Sequence, residues 1–334
     1  MKILGVGIVC AQGRGWAALE SGLTEPAPEP TRISVPFQPE PFPVYAVPPE
    51  ALKDRALLGG MRRADRFSKM AVLAASDALA DSATPLADPE RTGIVFATAF
   101  GPHNTTFAFL DDILQFGDAA VSPTTFSHSV HNAAVSYLST QFGIRGPTWT
   151  VTRFRQPFQQ AILIARTWLA EGRCDRVLVG AGEECGTVLH SIVARKLAIA
   201  SSFREMRPFW DPAGPAVIPG EACVFFDLVR GDGEGVNLTL GENPPEPPDL
   251  IAVDFESAQW EARAEAIPAD CWSHRFGVTP ISSVLHAALS VLMLRRGRAY
   301  ASAGLLGSRA GDRGAESSAV LRRIECAGGL VLEN

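Results

Sequence analysis

The chain has 334 residues, of which 46% are hydrophobic and 20% are charged, and its formal net charge is −6 at pH 7. This balance is typical of a globular protein with a large core, and an acidic charge without a basic tract argues against nucleic-acid binding. The six cysteines include no Cys-x-x-Cys pair, and no apolar run reaches membrane-spanning length. We therefore expect a cytoplasmic protein with reduced thiols, without a metal, a cofactor or a membrane segment.

Hydrophobic periodicity predicts the elements of the first third of the chain. A buried strand is expected over residues 3–9 and a short helix from Trp16 onward. The proline-rich stretch 24–49 indicates a surface loop. An apolar stripe predicts a helix over residues 62–81, and an apolar run predicts a buried strand over 93–99.

The remainder continues as alternating strands and helices. Residues 156–171 are expected to form a helix that starts next to Pro157. A strand is predicted over 176–184, where Glu183 and Glu184 are adjacent. Because neighbouring strand residues point to opposite faces, we expect one of these acids to be structural and the other to be solvated.

The segment from Gly146 to Ile162 contains the most informative residue of the chain. It reads Gly-Pro-Thr-Trp-Thr-Val-Thr-Arg-Phe-Arg-Gln-Pro-Phe-Gln-Gln-Ala-Ile. Without a gap it resembles the nucleophile segment of the β-ketoacyl synthases, and Arg155 stands at the position of the catalytic cysteine. A guanidinium is protonated at every accessible pH and has no lone pair with which to attack a thioester. At the positive end of a helix dipole it needs a carboxylate partner, solvent, or a contact from another chain.

Further motifs extend this resemblance over nearly the whole chain, strongly over residues 1–229 and weakly afterwards. They are the opening with Trp16, Leu19 and Gly22, the Arg-x-Asp-Arg-Phe-Ser-Lys run of residues 63–69, and the Ser-Pro loop of 121–132. The resemblance implies an α/β, thiolase-like five-layer α-β-α-β-α fold with two pseudo-symmetric halves. We place these halves at residues 1–229 and 251–334, with a connecting segment at 230–250 and a shortened second half.

The resemblance also locates four other losses, all in the second half. Ser273 stands where the family has a lysine, and Val278 where it has a histidine. The strand expected at 251–260 lacks the second histidine, and the glycine loop at 326–329 lacks the gating phenylalanine. Decarboxylation needs the histidines and condensation needs the thiolate, so the degenerate site implies a subunit that cannot condense by itself.

The resemblance therefore implies a chain-length-factor type of subunit. Such a subunit pairs with an active β-ketoacyl synthase as a heterodimer, shapes its acyl tunnel and acts on chains held by an acyl carrier protein. The Ser-Pro loop is similar to that of the group found in aryl polyene clusters. The strand at 148–152 is the expected dimer edge, and the residues expected to contact the tunnel or partner are Thr150, Phe154, Arg155 and Phe158.

Several alternatives remain open on the residues alone. Arg155 could be a drifted residue without a role. Arg62, Arg66 and Lys69 stand at the spacing of one helix face and could dock the carrier protein, or they could be an ordinary solvated face. The chain could instead be an acyl-thioester hydrolase or transferase that uses Ser273 or His274, or a non-catalytic homodimer that binds acyl chains.

Overall fold

A computed structural model describes residues 1–26, 29–35, 39–209, 211–231, 234–240, 248–252, 269–300, 322–326 and 330–333. In chain order the strands are β1 (Lys2–Cys10), β2 (Gly13–Arg14), β3 (Thr31–Ile33), β4 (Phe42–Val44), β5 (Thr92–Thr98), β6 (Thr148–Thr152), β7 (Arg176–Glu183), β8 (Ala198–Ile199), β9 (Ala216–Val217), β10 (Ala222–Val229), β11 (Asn237–Leu240), β12 (Leu250–Ala252), β13 (Ala269–Asp270), β14 (Arg323–Cys326) and β15 (Leu330–Glu333). The α-helices are α1 (Gly15–Thr24), α2 (Arg55–Leu58), α3 (Arg66–Ser82), α4 (His103–Phe116), α5 (Pro123–Ser129), α6 (Ala133–Phe142), α7 (Pro157–Ala170), α8 (Thr187–Lys196), α9 (Ser273–Phe276) and α10 (Ser282–Arg296).

One path of hydrogen-bonded strands connects most of the sheet. Its order is β13-β12-β14-β15-β11-β1-β10-β7-β5-β6. β5 is parallel to both β6 and β7, whereas β10 is antiparallel to β7. The carboxyl ends of β5, β6 and β7 therefore lie beside the amino end of β10, at what we call the carboxyl edge of the sheet. β6 is the terminal strand of this path, and among the described residues it pairs with β5 alone.

Helices cover both faces of the first-half strands. On one face α3 packs against β1 and β10, where Phe67, Phe96 and Phe225 stack in the core. On the other face lie α7 and α10, which meet where the Ser283 hydroxyl donates to Gln159 Oε1 at 3.2 Å. α10 is buried from Ser282 to Leu294 because it also packs against β14 and β15. The described residues thus form one large sheet with helices packed against it, which confirms the expected thiolase-like α/β architecture.

Local capping explains where the structure differs from the sequence prediction. α3 begins at Arg66 rather than at 62, because the Asp65 carboxylate accepts from the Ser68 amide at 2.7 Å and caps the helix there. The segment predicted as a loop at 121–132 contains α5, which starts with Ser122 as the cap and Pro123 in the first turn. The proline-rich stretch contains the small β3–β4 sheet.

Other sequence predictions fall partly outside the described residues. The strand expected at 251–260 is described only at its first two residues, and the glycine loop at 326–329 only at Cys326. None of the described helices combines the length and the hydropathy needed to cross a membrane.

Candidate functional site

The loop that joins β6 to α7 carries Arg155, the residue expected at the nucleophile position. Gln156 adopts a left-handed conformation (φ 51°, ψ 45°), which is uncommon outside glycine and turns the chain sharply into α7. Pro157 opens the helix, where its missing N–H costs no hydrogen bond. All four residues from Arg153 to Gln156 are exposed as a result. The local sequence thus builds an outward-facing loop at the carboxyl edge.

Arg155 lies free on this loop. Its guanidinium makes no hydrogen bond or ion pair with any described residue. Beside it, Phe154 is 63% exposed and meets Phe100 edge to face at a centroid distance of 5.1 Å. Arg153 donates to Gln160 Oε1 at 3.0 Å across the surface. The Arg155 guanidinium is therefore exposed to solvent rather than paired with a carboxylate among the described residues. It remains available to another chain.

The two acids at the end of β7 are both buried, so the expectation that one of them is solvated was wrong. The Glu183 carboxylate accepts from the Thr98 hydroxyl at 2.7 Å, the Phe100 amide at 3.1 Å and the Ala99 amide. Glu184 accepts from the Asn104 amide at 2.9 Å. Burial raises the pKa of Glu183 to about 7 and that of Glu184 to about 8, although the hydrogen-bond donors act to lower both values. Strand alternation fails here because β7 ends at Glu183.

Arg66 is only partly exposed, at 33% of its side chain, because its guanidinium is bound to a buried acid. Its guanidinium donates to both Glu221 oxygens, at 2.7 and 2.6 Å, and to the Val47 carbonyl at 2.6 Å. Glu221 is fully buried, and its oxygens also accept from the amides of Val47 and Cys185. Because α3 begins at Arg66, the exposed Arg62 lies outside the helix, and the prediction of one basic helix face was wrong.

A pair of buried histidines completes this region, and sequence reasoning had missed it. His103 Nδ1 lies 3.3 Å from the Gly101 carbonyl and 3.9 Å from Glu184 Oε1. His190 stacks on Phe42 with ring centroids 5.4 Å apart. Burial lowers the pKa of both rings, that of His190 to about 4, so both are neutral at pH 7. The contacts of His103 with Glu184 and of His190 with Phe42 join residues remote in sequence and follow no motif, so no local signal could have identified the cluster.

The second-half loop offers no replacement catalytic pair. Ser273 and His274, in α9, are 2% and 0% exposed. Among the described residues, the Ser273 hydroxyl is not hydrogen-bonded to either ring nitrogen of His274, so they do not form a Ser–His dyad. Burial is the main cause that lowers the pKa of His274 to about 4. Val278, at the expected histidine position, contributes only backbone hydrogen bonds with Ile218 and Gly220.

Two glycines bring the halves into backbone contact beside this loop. A Cβ built on Gly220 would lie 2.3 Å from the Phe276 carbonyl oxygen. Gly277 has φ +83°, and a Cβ there would lie 2.5 Å from the Gly220 Cα. No side chain fits between these two strands of backbone. The carboxyl edge is therefore closed at this point.

The exposed edge of β6 is the most open surface near Arg155. Trp149 is 57% exposed, and Thr148 and Thr152 are exposed as well. A groove of about 530 Å³ runs between β6 and α6. Hydroxyl groups dominate its lining, which comprises Asn132, Val135, Ser136, Ser139, Thr140, Thr148, Trp149 and Thr150. The Thr150 hydroxyl is shielded from solvent and has no hydrogen-bond partner among the described residues.

Phe158 is a core residue and offers no surface to a partner chain, whereas its expected contact with the acyl tunnel stays a prediction. It is fully buried and packs against Phe226 with ring centroids 5.4 Å apart, because it faces the sheet from the first turn of α7. His128, which the sequence places three residues before His131, has its Nε2 2.7 Å from the Tyr137 hydroxyl. The described residues contain no group of three His, Cys, Asp or Glu side chains arranged for a metal ion.

The chain is similar to known proteins in part of its sequence and in its fold. Residues 45–204 match the N-terminal domain of the β-ketoacyl synthases. One component chain of a polyunsaturated fatty acid synthase from Thraustochytrium sp. is 24% identical over 123 residues, which is 37% of this chain and 6% of that protein. The chain therefore corresponds to a small part of that relative.

Solved structures match over nearly the full chain. A β-ketoacyl synthase from Burkholderia phymatum is 18% identical with a TM-score of 0.76, covering 99% of this chain and 98% of its own. The ketosynthase ApeO in complex with its chain length factor ApeC, from Xenorhabdus doucetiae, is 14% identical with a TM-score of 0.73, covering 99% and 97%. The ishigamide ketosynthase/chain length factor is 19% identical with a TM-score of 0.68 over the same shares. These likenesses establish a ketosynthase-like fold.

Proposed function

We propose that this chain, which has the fold of the β-ketoacyl synthases, is a non-condensing subunit of the chain-length-factor type. It pairs with an active ketosynthase and helps to shape the acyl tunnel of that enzyme. The observation that carries the proposal is Arg155, which occupies the nucleophile position as an exposed cation without a partner among the described residues. Ser273 and His274 do not replace the nucleophile, since both are buried without forming a dyad.

The surface around Arg155 supports a role in assembly. β6 ends the described sheet path with its outer edge unpaired, and such an edge is a ready template for a strand from another chain. Trp149 and Phe154 expose aromatic rings beside that edge, and large exposed aromatics are typical anchors of protein interfaces. The groove between β6 and α6 provides space for side chains that accompany the incoming strand.

The same proposal includes a substrate class and candidate residues for carrier docking. The substrate is an acyl chain of the aryl polyene or a related polyketide class, held on a carrier protein in the cytoplasm. The support is the Ser-Pro segment at 122–133, which is similar to that of the proteins found in aryl polyene clusters. Two solved relatives are complexes of a ketosynthase with a chain length factor, and a third includes an acyl carrier protein. Arg62 and Lys69 remain the candidates for carrier docking, since Arg66 is bound to Glu221.

The proposal is tested by co-expression with a ketosynthase encoded beside this chain. We expect a stable one-to-one complex that elongates acyl chains, whereas this chain alone releases no carbon dioxide from malonyl-carrier protein. Trp149→Asp should break the complex, because it places a charge on the paired edge. The matched control is Ile192→Asp on α8, a site that is 49% exposed and away from β6.

Two results would contradict the proposal. One is decarboxylation by the isolated chain. The other is a stable homodimer that binds no ketosynthase, which would instead support an acyl-binding protein.

A further inference from the structure

Guanidinium groups lie at both ends of β6, two after the strand and one before it. Arg153 and Arg155 follow the strand, and both are exposed. Arg145 precedes it, with a side chain that is 75% exposed and lies 3.5 Å from the Glu90 carboxylate. We call these the C-terminal and N-terminal flanks of β6. Three guanidiniums against one carboxylate leave the two flanks together with a net charge of +2, counted over these four residues.

Pairing of β6 with a second copy of itself brings these flanks together. Two copies related by a two-fold axis through the strand pair antiparallel, so each C-terminal flank meets the N-terminal flank of the other copy. If Thr150 lies opposite its own copy, Arg155 lies opposite Arg145 of the second copy. A shift of the pairing by two residues instead places Arg153 opposite Arg145. Both registers set like charges against each other twice, once at each end of the joined strands.

We propose that the flanks of β6 reject a second copy of this chain and select a different chain whose own edge strand is preceded by carboxylates. This inference rests on the proposed function, since it specifies the chemistry of the ketosynthase partner. Trp149 and the strand backbone supply contact that is largely indifferent to the identity of the partner. The flanks supply discrimination, because like charges brought together at an interface disfavour the wrong partner.

The free state of the two C-terminal cations supports this reading. The Arg155 guanidinium has no partner among the described residues, and the Arg153 guanidinium donates only to the neutral Gln160 side chain. The remaining ion pair, between Arg145 and Glu90, is exposed on both sides and therefore weak. Both arginines of the C-terminal flank can thus form charge-assisted hydrogen bonds with a partner's carboxylates without breaking an ion pair among the described residues.

The test measures self-association of the full chain by sedimentation velocity at low and high salt. The wild-type chain should associate weakly, and more strongly at high salt, because salt screens the repulsion. Arg145→Glu should strengthen self-association about tenfold at low salt and reverse its salt dependence, since each end then joins opposite charges. Arg153→Glu with Arg155→Glu should do the same from the other flank.

The triple variant and a control complete the design. Combining all three changes sets acids against acids, with Glu90 adding a further carboxylate, and should cancel the gain of either swap. Arg173→Glu, an exposed arginine at the far end of α7, should change nothing. Because the two charge swaps lie at opposite ends of β6, misfolding of one variant, seen by circular dichroism, leaves the other to decide.

The outcomes separate this inference from the proposed function. A wild-type homodimer whose affinity is unaffected by either swap overturns the charge selection, even if the chain also binds a ketosynthase. Tighter self-association of the swapped variants supports the selection, even if no ketosynthase binds the wild-type chain and the proposed function fails.

Discussion

The carboxyl edge of the sheet carries two groups of charges with opposite environments. After β7 and before β10, Glu183, Glu184 and Glu221 are all at most 2% exposed, and each accepts hydrogen bonds from neighbouring groups. After β6, on the same edge, Arg153 and Arg155 are exposed and have no carboxylate partner among the described residues. The two groups belong to one half of the fold and lie only two strands apart.

This difference separates residues that hold the fold from residues that are available to other molecules. In the interior part of the edge the three carboxylates accept hydrogen bonds from neighbouring groups, and Gly220 and Gly277 close it. These interior carboxylates are therefore committed to contacts within the chain. The exposed part keeps its charge and its aromatic rings unpaired among the described residues, which is expected of a surface that gains its partners in a complex.

The largest effect should come from breaking the interior ion pair. Arg66→Ala leaves the fully buried Glu221 carboxylate without its counter-charge, so we expect the free energy of unfolding to fall by about 3–5 kcal/mol. Arg155→Ala, the matched change on the exposed loop, should stay within about 0.5 kcal/mol of wild type. Urea denaturation of both variants measures the contrast. Equal losses would show that Arg155 has a partner within the chain.

The second effect is a pH dependence. Burial raises the pKa of Glu183 from its usual 4.5 to about 7, so the folded protein holds this proton over a range where the unfolded chain has released it. The free energy of unfolding should therefore fall as pH rises from about 4.5 to about 7. Glu183→Gln removes this titration, and the stability of wild type relative to the variant should drop by on the order of 3 kcal/mol across that window.

Denaturation at pH 5 and pH 8 measures this difference. Glu184 titrates in both proteins, so its contribution cancels in the comparison. A wild-type advantage that grows with pH would contradict the prediction, since it would mean that the Thr98, Ala99 and Phe100 donors outweigh burial and hold Glu183 ionised.

A smaller effect is expected where the two halves touch. Gly220→Ala places a methyl group against the Phe276 carbonyl, and the backbone must move to accommodate it, at a cost of about 1–3 kcal/mol. Gly60→Ala is the control, because a Cβ there meets nothing within 4 Å. Thermal or urea unfolding distinguishes the two. If Gly220→Ala is as mild as the control, the closure at this point is looser than the geometry indicates.

Hydrophobic periodicity predicted the strands and the central helices well, because it reflects which face of each element is buried. β1, β5 and β7 lie within one residue of their predicted bounds, and α7 begins one residue late because Gln156 takes the left-handed turn. The helix at 123–129 was missed although its signals, a serine cap followed by proline, were present in the sequence.

The polar cluster could not be predicted, since its contacts join residues that are remote in sequence. Arg66 and Glu221 are 155 residues apart, and no motif links them. Arg66 therefore looked like one member of a basic helix face. The adjacent Glu183 and Glu184 were assigned to opposite faces by strand alternation, a rule that stops applying where the strand ends.

The smallest expected effect is the most informative for the comparison between the two groups of charges: Arg155→Cys should restore no decarboxylation or condensation. The new thiol would stand at the start of α7, where the helix dipole favours the thiolate, but a thiolate alone does not stabilise the enolate formed from malonyl-carrier protein. Val278 has no titratable group and Ser273 is buried, so neither position supplies the histidine or lysine that the thiol would need. Labelling with a maleimide shows that the thiol is present, because five of the six natural cysteines are buried and Cys185 is half-buried. Carbon dioxide release is then assayed on an unlabelled portion of the same preparation. Release above the Arg155→Ala background would mean that the site retains catalytic partners for the thiol. It would also mean that the surface around residue 155 is not limited to contacts with other molecules.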